Sequence, residues 1–313
     1  MRLPTEAQNL TEETSVQLAA QIQWVDVMLP NGDGTDGTTV STSYVCQGDV
    51  GQGDVGQGEG TPVLLLHGFD SSLFEFRRLV PQLAAQTQTW AVDMLGFGFC
   101  DRTSMLSDTP LEVTPAAIKR HLYQFWQQHM GARPMVLTGA SMGGAAAIDF
   151  ALTYPEAVSK LVLLDSAGFA AGPAMGWLMV PPVDRWATAF LRNPGVRRRI
   201  SLQAYHDPSW VTPDADLCAA LHVQLPQWQE ALIAFTKSGG YNFLSRAIGK
   251  LEMPTLVLWG ECDRILGKKD ATQFERTLPN GKLVWVPDCG HVPHLEKPAF
   301  TAAQMTEFIA VAT

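Results

Sequence analysis

The stretch Gly139-Ala140-Ser141-Met142-Gly143-Gly144 constrains this chain more than any other. It follows an apolar run at 135–137, which predicts a buried strand, and precedes residues 145–154, which predict a helix. Gly-x-Ser-x-Gly between a strand and a helix is typical of a nucleophile elbow, a sharp turn that holds the serine hydroxyl clear of the backbone. Glycines beside the serine remove the Cβ atoms that would block the turn. The Met142 N–H, at the start of the helix, would then face an oxyanion formed at Ser141.

The composition fits one large domain, or a domain with an insertion. The chain has 313 residues, of which 46% are hydrophobic, and its mean hydropathy is +0.02. The net charge of −9 argues against nucleic acid as a partner, because phosphate binding needs a basic face. The one basic cluster, Arg192 with residues 197–199, is expected to be a solvated face.

The cell compartment is predicted from what the sequence lacks. No apolar run reaches membrane-spanning length, and residues 1–15 are too polar and acidic for a secretory signal. Five widely spaced cysteines indicate free thiols in a reducing compartment, so we expect a cytoplasmic protein. There is no CxxC pair or zinc-type spacing, and no cofactor or metal is expected.

Apolar runs that alternate with helical segments predict the fold class. Six runs are mostly apolar, as expected of parallel strands covered on both faces, and 62–66 is apolar throughout; the six are 62–66, 89–93, 135–137, 161–165, 255–260 and 282–286. Two more strands are predicted at 22–28 and 39–46, joined by a turn at 31–34. The pattern predicts an α/β protein with a mostly parallel central sheet and helices on both faces.

Two segments are expected at the surface. Residues 1–18 are interpreted as a loosely held leader. Residues 47–60 repeat a glycine-rich unit, Gln-Gly-Asp-Val-Gly, which is costly to order because glycine loses the most conformational entropy. We interpret the repeat as a flexible excursion from a hairpin.

Residues 166–254 interrupt the alternation of strands and helices. They contain helical stretches, prolines and four of the nine tryptophans: Trp177, Trp186, Trp210 and Trp228. The predicted organisation is a core of residues 1–165 and 255–313 with a helical cap, or lid, at 166–254. The tryptophans would belong either to an ordinary core or to the apolar lining of a lid.

Several polar residues follow apolar strands, where ligands bind in such sheets. Ser141, Asp263, His291 and the loop at Phe69 all lie at such positions and can therefore converge. A serine hydroxyl needs an imidazole to take its proton, and the imidazole needs a carboxylate to hold its tautomer. The order Ser, Asp, His is the one expected for this fold. The N–H groups of Phe69 and Met142 are expected to form the oxyanion hole.

Rival residues exist for two of these roles. His294 lies three residues after His291 but lacks its preceding glycine, so His291 is favoured. Asp165 ends the neighbouring strand, and Asp263 is favoured over it as the acid. His67 is expected to be structural.

Three further side chains near these motifs are given structural roles. Cys262 and Cys289 are expected to be packing thiols, since a buried thiol without a basic neighbour is inert. Arg102 is expected to fasten its loop through an ion pair with Asp101.

Taken together, these motifs resemble the α/β-hydrolase fold, and the resemblance covers nearly all of the chain from residue 22 onward. It rests on His67-Gly68-Phe69, residues 93–102, Gly139 to Gly144, residues 260–263, and Gly290-His291 with Glu296-Lys297-Pro298. More narrowly, residues 121–126, 238–242 and 289–291 resemble uncharacterised hydrolases of cyanobacteria and plastids. Ala140 departs from the His, Asn or Gln of many relatives, which weakens assignment to a subfamily.

The resemblance implies a serine hydrolase that cleaves a small, apolar carboxylic ester through an acyl-enzyme. Ser141 would be the nucleophile, His291 the base and then the acid, and Asp263 the orienting carboxylate. Alternatives are a carbon–carbon bond hydrolase, which needs a buried cation for the substrate carboxylate, and a receptor-like binding module with little turnover.

Overall fold

In the computed structural model, the described residues are 2–30, 37–48, 60–106, 111–169 and 179–311. They contain an eight-stranded sheet in the order β1-β2-β4-β3-β5-β6-β7-β8, in which only the β1–β2 and β2–β4 pairs are antiparallel. The strands are β1 Gln23–Pro30, β2 Gly37–Gln47, β3 Val63–Leu66, β4 Thr89–Val92, β5 Met135–Ala140, β6 Val158–Leu164, β7 Thr255–Gly260 and β8 Gly281–Val286.

The helices fall into two groups. Those that pack on the sheet are α1 Glu13–Gln21, α2 Val80–Ala84, α3 Pro115–His129, α4 Met142–Thr153, α9 Lys269–Thr277, α10 Pro293–Glu296 and α11 Pro298–Ala310. Four more lie between β6 and β7: α5 Val183–Arg192, α6 Pro194–Ala204, α7 Pro213–Ala220 and α8 Trp228–Lys237. A short 3-10 turn, Leu73–Phe76, precedes α2.

Both faces of the sheet are covered, which confirms the predicted fold class. Alternate residues of β3 point to opposite sides, so Leu64 and Leu66 pack in one core while Val63 and Leu65 pack in the other. Helices α3, α4 and α9 cover the first face, and α1, α2 and α11 cover the second. Every residue of β3, β4 and β5 is buried, as their unbroken apolar sequences predicted.

The expectation of a loose leader at residues 1–18 is wrong. Helix α1 is held against the protein by the buried carboxylate of Asp214 in α7, which accepts hydrogen bonds from residues at the start of α1. Asp214 Oδ1 accepts from the N–H groups of Thr11 and Glu12 at 2.5 and 2.9 Å, and Oδ2 accepts from Ser15 Oγ at 2.6 Å. The N–H groups at the start of α1, which the local sequence suggested would bond to water, therefore donate to a residue about 200 positions away.

The predicted basic face is wrong only for Arg197, because the other three arginines of the cluster are exposed. Arg197 turns inward and bonds to the Asp70 carboxylate at 2.7 Å, with only 12% of its side chain exposed. Arg192 donates to the carbonyl of Val223, and Arg198 pairs with Asp216.

Other expectations concern residues outside the described ranges or stay untested. The turn at 31–34, most of the glycine-rich repeat and Trp177 lie outside the described residues. The division into a core and a cap at 166–254 stays a prediction, as does the cytoplasmic location. Among the described helices, none has the length and apolar character needed to cross a membrane.

Candidate active site

Ser141 stands at the sharp turn between β5 and α4. Its backbone has φ 51° and ψ −117°, a conformation that non-glycine residues rarely adopt. The turn brings backbones so close that glycines are required around it. A Cβ at Gly139 would lie 2.1 Å from the Gly143 carbonyl oxygen, and one at Gly143 would lie 2.1 Å from the Leu66 carbonyl oxygen. The motif glycines therefore allow the strained turn that exposes the serine hydroxyl.

The structure brings Ser141, His291 and Asp263 into one chain of contacts. His291 Nε2 lies 3.0 Å from Ser141 Oγ, and His291 Nδ1 lies 3.0 Å from Asp263 Oδ2. Asp263 follows β7 and His291 follows β8, so both loops leave the carboxyl edge of the sheet beside the turn after β5. Because a carboxylate only accepts hydrogen bonds, the Nδ1 proton points to Asp263 and Nε2 is free to accept from the serine.

The second oxygen of Asp263 is also fixed. Oδ1 accepts from the N–H groups of Ile265 and Leu266 at 2.7 and 3.2 Å. Burial by itself would raise the pKa of Asp263, but the hydrogen bond to His291 and these two amides outweigh burial and lower it. The carboxyl is therefore held as a carboxylate, the form that can support a positive imidazolium.

Asp165, the rival acid, lies beside the triad without joining it. It is fully buried, and its Oδ1 accepts from the Gly260 N–H at 2.9 Å. Carboxylate oxygens of Asp165 and Asp263 and a ring nitrogen of His291 lie within 4.8 Å of one another. Burial, and then the charge of Asp263, raise the pKa of Asp165 well above its usual value. Burial and the neighbouring charge therefore both favour the protonated form of Asp165 over the ionised form.

This cluster of two carboxyls and a histidine has the spacing of a metal site, but its donors are already engaged. Nδ1 of His291 and both oxygens of Asp263 make the hydrogen bonds given above, and burial disfavours the charged form of Asp165 that a cation would need. Within the described ranges, it is the one such group of three metal-ligating side chains. The geometry therefore fits a hydrogen-bonded triad better than a cation site.

Side chains that sequence reasoning missed hold the loop after β3. Glu75 Oε2 accepts from the Gly68 N–H at 2.6 Å. Asp70, at φ 48°, receives hydrogen bonds from Arg197 at 2.7 Å, His222 at 3.1 Å and Trp228 at 2.8 Å. Burial alone would raise the pKa of Asp70, but His222 and Arg197 outweigh it and lower the value to about 2. The peptide of Phe69 is thus clamped on both sides.

The two remaining histidines near this loop have structural contacts. His67 Nδ1 lies 2.8 Å from the Gly68 carbonyl, and its Nε2 accepts from the Met94 N–H at 3.2 Å, so both ring nitrogens are engaged. His294 Nε2 lies 3.4 Å from Glu75 Oε1 and is buried. Burial would raise the pKa of Glu75, but His294 outweighs it and holds the value at about 2. The rival histidine therefore supports the loop through Glu75.

The smaller structural predictions have mixed outcomes. Arg102 fastens its loop by donating to the carbonyls of Gly96 and Gly98 at 2.9 and 2.8 Å, where an ion pair with Asp101 was expected. Cys289 is completely buried, and burial raises the pKa of its thiol, which agrees with a packing role.

An apolar cavity of about 300 Å³ opens beside Ser141 and His291. Its lining comes from the sheet loops and from α5, α6 and α7, and its apolar members include Phe74, Leu191, Ile200, Ile265, Val292 and Leu295. A cavity of this kind suits an apolar ligand.

The three tryptophans of 166–254 that the structure describes do not line this cavity. Trp186 is 69% exposed, and Trp210 stacks on Arg78 at 4.4 Å. Trp228 is buried and donates to Asp70. Aliphatic residues line the cavity together with Phe69, Phe74 and Tyr205. Trp228 belongs to the hydrophobic core, which was the other role considered for these tryptophans.

Comparison with known proteins agrees with this fold. The sequence model of the alpha/beta hydrolase family matches residues 63–304. The chain belongs to the alpha/beta hydrolase family. It is 35% identical to the alpha/beta hydrolase domain-containing protein VTE7 of Arabidopsis thaliana over 312 residues, covering 98% of this chain and 89% of that protein.

More distant members include enzymes with named activities. Lipase 1 of Psychrobacter immobilis is 25% identical over 252 residues, covering 80% of this chain and 78% of the lipase. The structure of the meta-cleavage product hydrolase of Pseudomonas fluorescens IP01 superposes with a TM-score of 0.71 at 22% identity, covering 92% of this chain and 98% of that one. At this identity the structural likeness supports the fold alone.

Proposed function

We propose that this hydrolase cleaves a carboxylic ester through an acyl-enzyme, with Ser141 as nucleophile, His291 as general base and then acid, and Asp263 as the orienting carboxylate. One observation carries the proposal. Ser141 Oγ lies 3.0 Å from His291 Nε2, and His291 Nδ1 lies 3.0 Å from Asp263 Oδ2, beside an apolar cavity.

The chemistry follows from these positions. Ser141 Oγ attacks the ester carbonyl carbon while its proton passes to His291 Nε2. The carbonyl oxygen becomes an oxyanion within reach of the Phe69 and Met142 N–H groups, which donate no hydrogen bond elsewhere among the described residues. The intermediate collapses, the carbon–oxygen bond to the alcohol breaks, and the imidazolium gives its proton to the leaving alkoxide.

Deacylation uses the same groups in reverse. A water molecule gives a proton to His291 Nε2 and attacks the acyl carbon, and Ser141 leaves with that proton. Asp263 stays ionised throughout because its two oxygens are held by His291 and by the backbone amides after it. Neither half-reaction needs a cofactor from outside the chain.

Two arginines line the cavity and bear on the choice between an ester and a carbon–carbon cleavage substrate. Arg197 is already engaged, because its charge is met by the Asp70 carboxylate and it also donates to the Ala219 carbonyl at 2.6 Å. Arg77 lies 3.7 Å from a Glu12 oxygen, but its Nε and Nη2 atoms have no hydrogen-bond partner among the described residues, so it is the cation that a carbon–carbon hydrolase would use to hold a substrate carboxylate. The lipase among the relatives supports an ester. We assign residues 166–254 to a cap, since α5, α6 and α7 supply part of the cavity wall.

A Ser141→Ala variant tests the proposal. It should lose on the order of 10⁶ in kcat on short p-nitrophenyl esters, and labelling by a fluorophosphonate should disappear. Ser201→Ala is the matched control, since Ser201 lines the same cavity without a histidine partner among the described residues, and it should keep both properties. Thioesters, lactones and dienoic ketones complete the substrate panel.

Three results would argue against this assignment. If Ser141→Ala keeps a tenth of the wild-type rate, Ser141 is not the nucleophile. If a dienoic ketone outperforms every ester, the enzyme cleaves carbon–carbon bonds. Tight ligand binding with no turnover on any substrate would indicate a receptor-like module.

A further inference from the structure

Helix α5 carries its large apolar side chains toward solvent. Trp186 and Phe190, four residues apart, are 69% and 63% exposed, and Val183 on the same face is 44% exposed. The opposite face holds Asp184 and Thr188, which are only 4% and 1% exposed. A helix at a water-exposed surface normally has the reverse arrangement, with its apolar stripe turned to the core. This face of α5 therefore has the character of a surface that is covered by something apolar.

Polar contacts with α8 fix this orientation. Thr188 Oγ1 accepts from Gln229 Nε2 at 2.5 Å, and Lys237 Nζ lies 3.9 Å from Asp184 Oδ2. Rotation of α5 to bury Trp186 would break both contacts and would leave the Asp184 carboxylate without its cation. The outward position of the aromatic side chains is therefore built into the packing of the two helices.

The charge around this face is opposite to that of the whole protein. Helices α5 and α6, with the residue between them, carry five arginines and one aspartate in a chain of net charge −9. Arg185 and Arg199 are exposed, and neither pairs with a carboxylate among the described residues. Exposed aromatic side chains beside unpaired cations are typical of helices that lie in the headgroup region of an anionic membrane.

The same two helices reach the cavity. Leu191 follows Phe190 directly, and Ile200 on α6 is 44% exposed; both line the cavity that contains Ser141. We propose that the outer faces of α5 and α6 dock on an anionic lipid surface, so that an apolar ester dissolved in that surface enters the cavity past Leu191 and Ile200. The docking itself does not depend on the chemistry proposed for Ser141.

Vesicle flotation tests the docking directly. The protein is used as its Ser141→Ala variant, so that lipid hydrolysis cannot affect the result. It should float with phosphatidylcholine vesicles that contain phosphatidylglycerol, and less with pure phosphatidylcholine. Trp186→Ser with Phe190→Ser should weaken binding by about tenfold or more, because the buried aromatic area is lost. Arg185→Glu with Arg199→Glu should weaken it at low salt only, because salt screens headgroup attraction.

The control variant is Met28→Ser, which removes another exposed apolar side chain, 57% exposed on β1, and should float like its parent. Thermal unfolding followed by circular dichroism checks that each variant is folded. The proposal is overturned if the parent does not float with either vesicle, or if the aromatic double variant floats equally well. It is also overturned if the double variant converts a dimer to a monomer in sedimentation and the parent ignores vesicles, since a second copy then covers this face.

Discussion

Replacing Asp263 by asparagine should cut kcat by roughly 10⁴ through the histidine tautomer. The structure determines which way the new amide must point. The Ile265 and Leu266 N–H groups both donate to Oδ1, so the amide oxygen has to occupy that position. The NH₂ group then faces His291 Nδ1, where Oδ2 now lies at 3.0 Å.

That orientation places the imidazole proton on the wrong nitrogen. Because the amide NH₂ donates, Nδ1 of His291 must accept, and the ring proton moves to Nε2 facing Ser141. The base then has no lone pair for the serine proton, and the imidazolium has no carboxylate beside it. A loss of 10⁴ corresponds to about 5.4 kcal/mol of transition-state stabilisation.

Asp165→Asn is the matched control, because burial favours the neutral form of Asp165, which asparagine resembles in shape and charge. The asparagine can place its carbonyl oxygen toward the Gly260 N–H, as Asp165 Oδ1 is placed now. Its NH₂ then occupies the position of the second oxygen near Asp263 and can donate as a protonated carboxyl does. This variant should keep most of the wild-type kcat.

The assay is kcat at saturating p-nitrophenyl ester, with circular dichroism to show that both variants are folded. If Asp165→Asn is inactive and Asp263→Asn is active, the two acids have exchanged roles. If Asp263→Asn keeps more than about a tenth of the rate, the tautomer argument fails.

Stability should respond to three other changes in defined directions. Because the pKa of Asp165 is raised in the fold, the contribution of this one group to stability should fall as pH rises above 3.8, and the Tm of Asp165→Asn relative to the wild type should increase with pH. Gly144→Ala should lower the free energy of unfolding in urea by about 1–3 kcal/mol, because the new Cβ would lie 2.1 Å from the hydroxyl oxygen of Ser166. Gly249→Ala is the control and should cost less, because the nearest atom to its Cβ would lie at an ordinary 3.5 Å. Burial would raise the pKa of Glu12, but the hydrogen bond from Arg78 outweighs burial and lowers the pKa from 4.5 to about 2. Glu12→Gln should therefore destabilise the protein at neutral pH. The difference in stability between the wild type and this variant should disappear as pH falls to about 2.

The sheet and the triad positions could be predicted because their signals are local. A parallel strand covered on both faces is mostly apolar, and every residue of β3, β5 and β7 is buried. Close approach of two backbones requires glycine, which is why the sequence around Ser141 indicated its turn. Residues that follow such strands necessarily meet at one edge of the sheet, so Asp263 and His291 could be placed near Ser141 before any distance was known.

The misjudged features depend on partners far away in the chain. Arg197 lies among other arginines and looked solvated, yet its carboxylate partner, Asp70, is 127 residues earlier. Asp214 is an ordinary acidic residue in its own helix, but it caps the first turn of α1. Nothing in the sequence near Arg197 or Asp214 reveals such a contact, because a buried ion pair or a distant cap is specified by the packing of whole elements.

The contacts of Asp70 also determine how the proposed oxyanion donor is positioned. Phe69 is the neighbouring residue, so the direction of its N–H depends on where Asp70 is held. Asp70 is held by Arg197 of α6 and by His222 and Trp228, which lie in the 3-10 turn after α7 and at the start of α8. A shift of these helices would therefore move a donor of the oxyanion hole as well as the cavity wall. In this architecture, access to the cavity and stabilisation of the transition state depend on the same buried carboxylate.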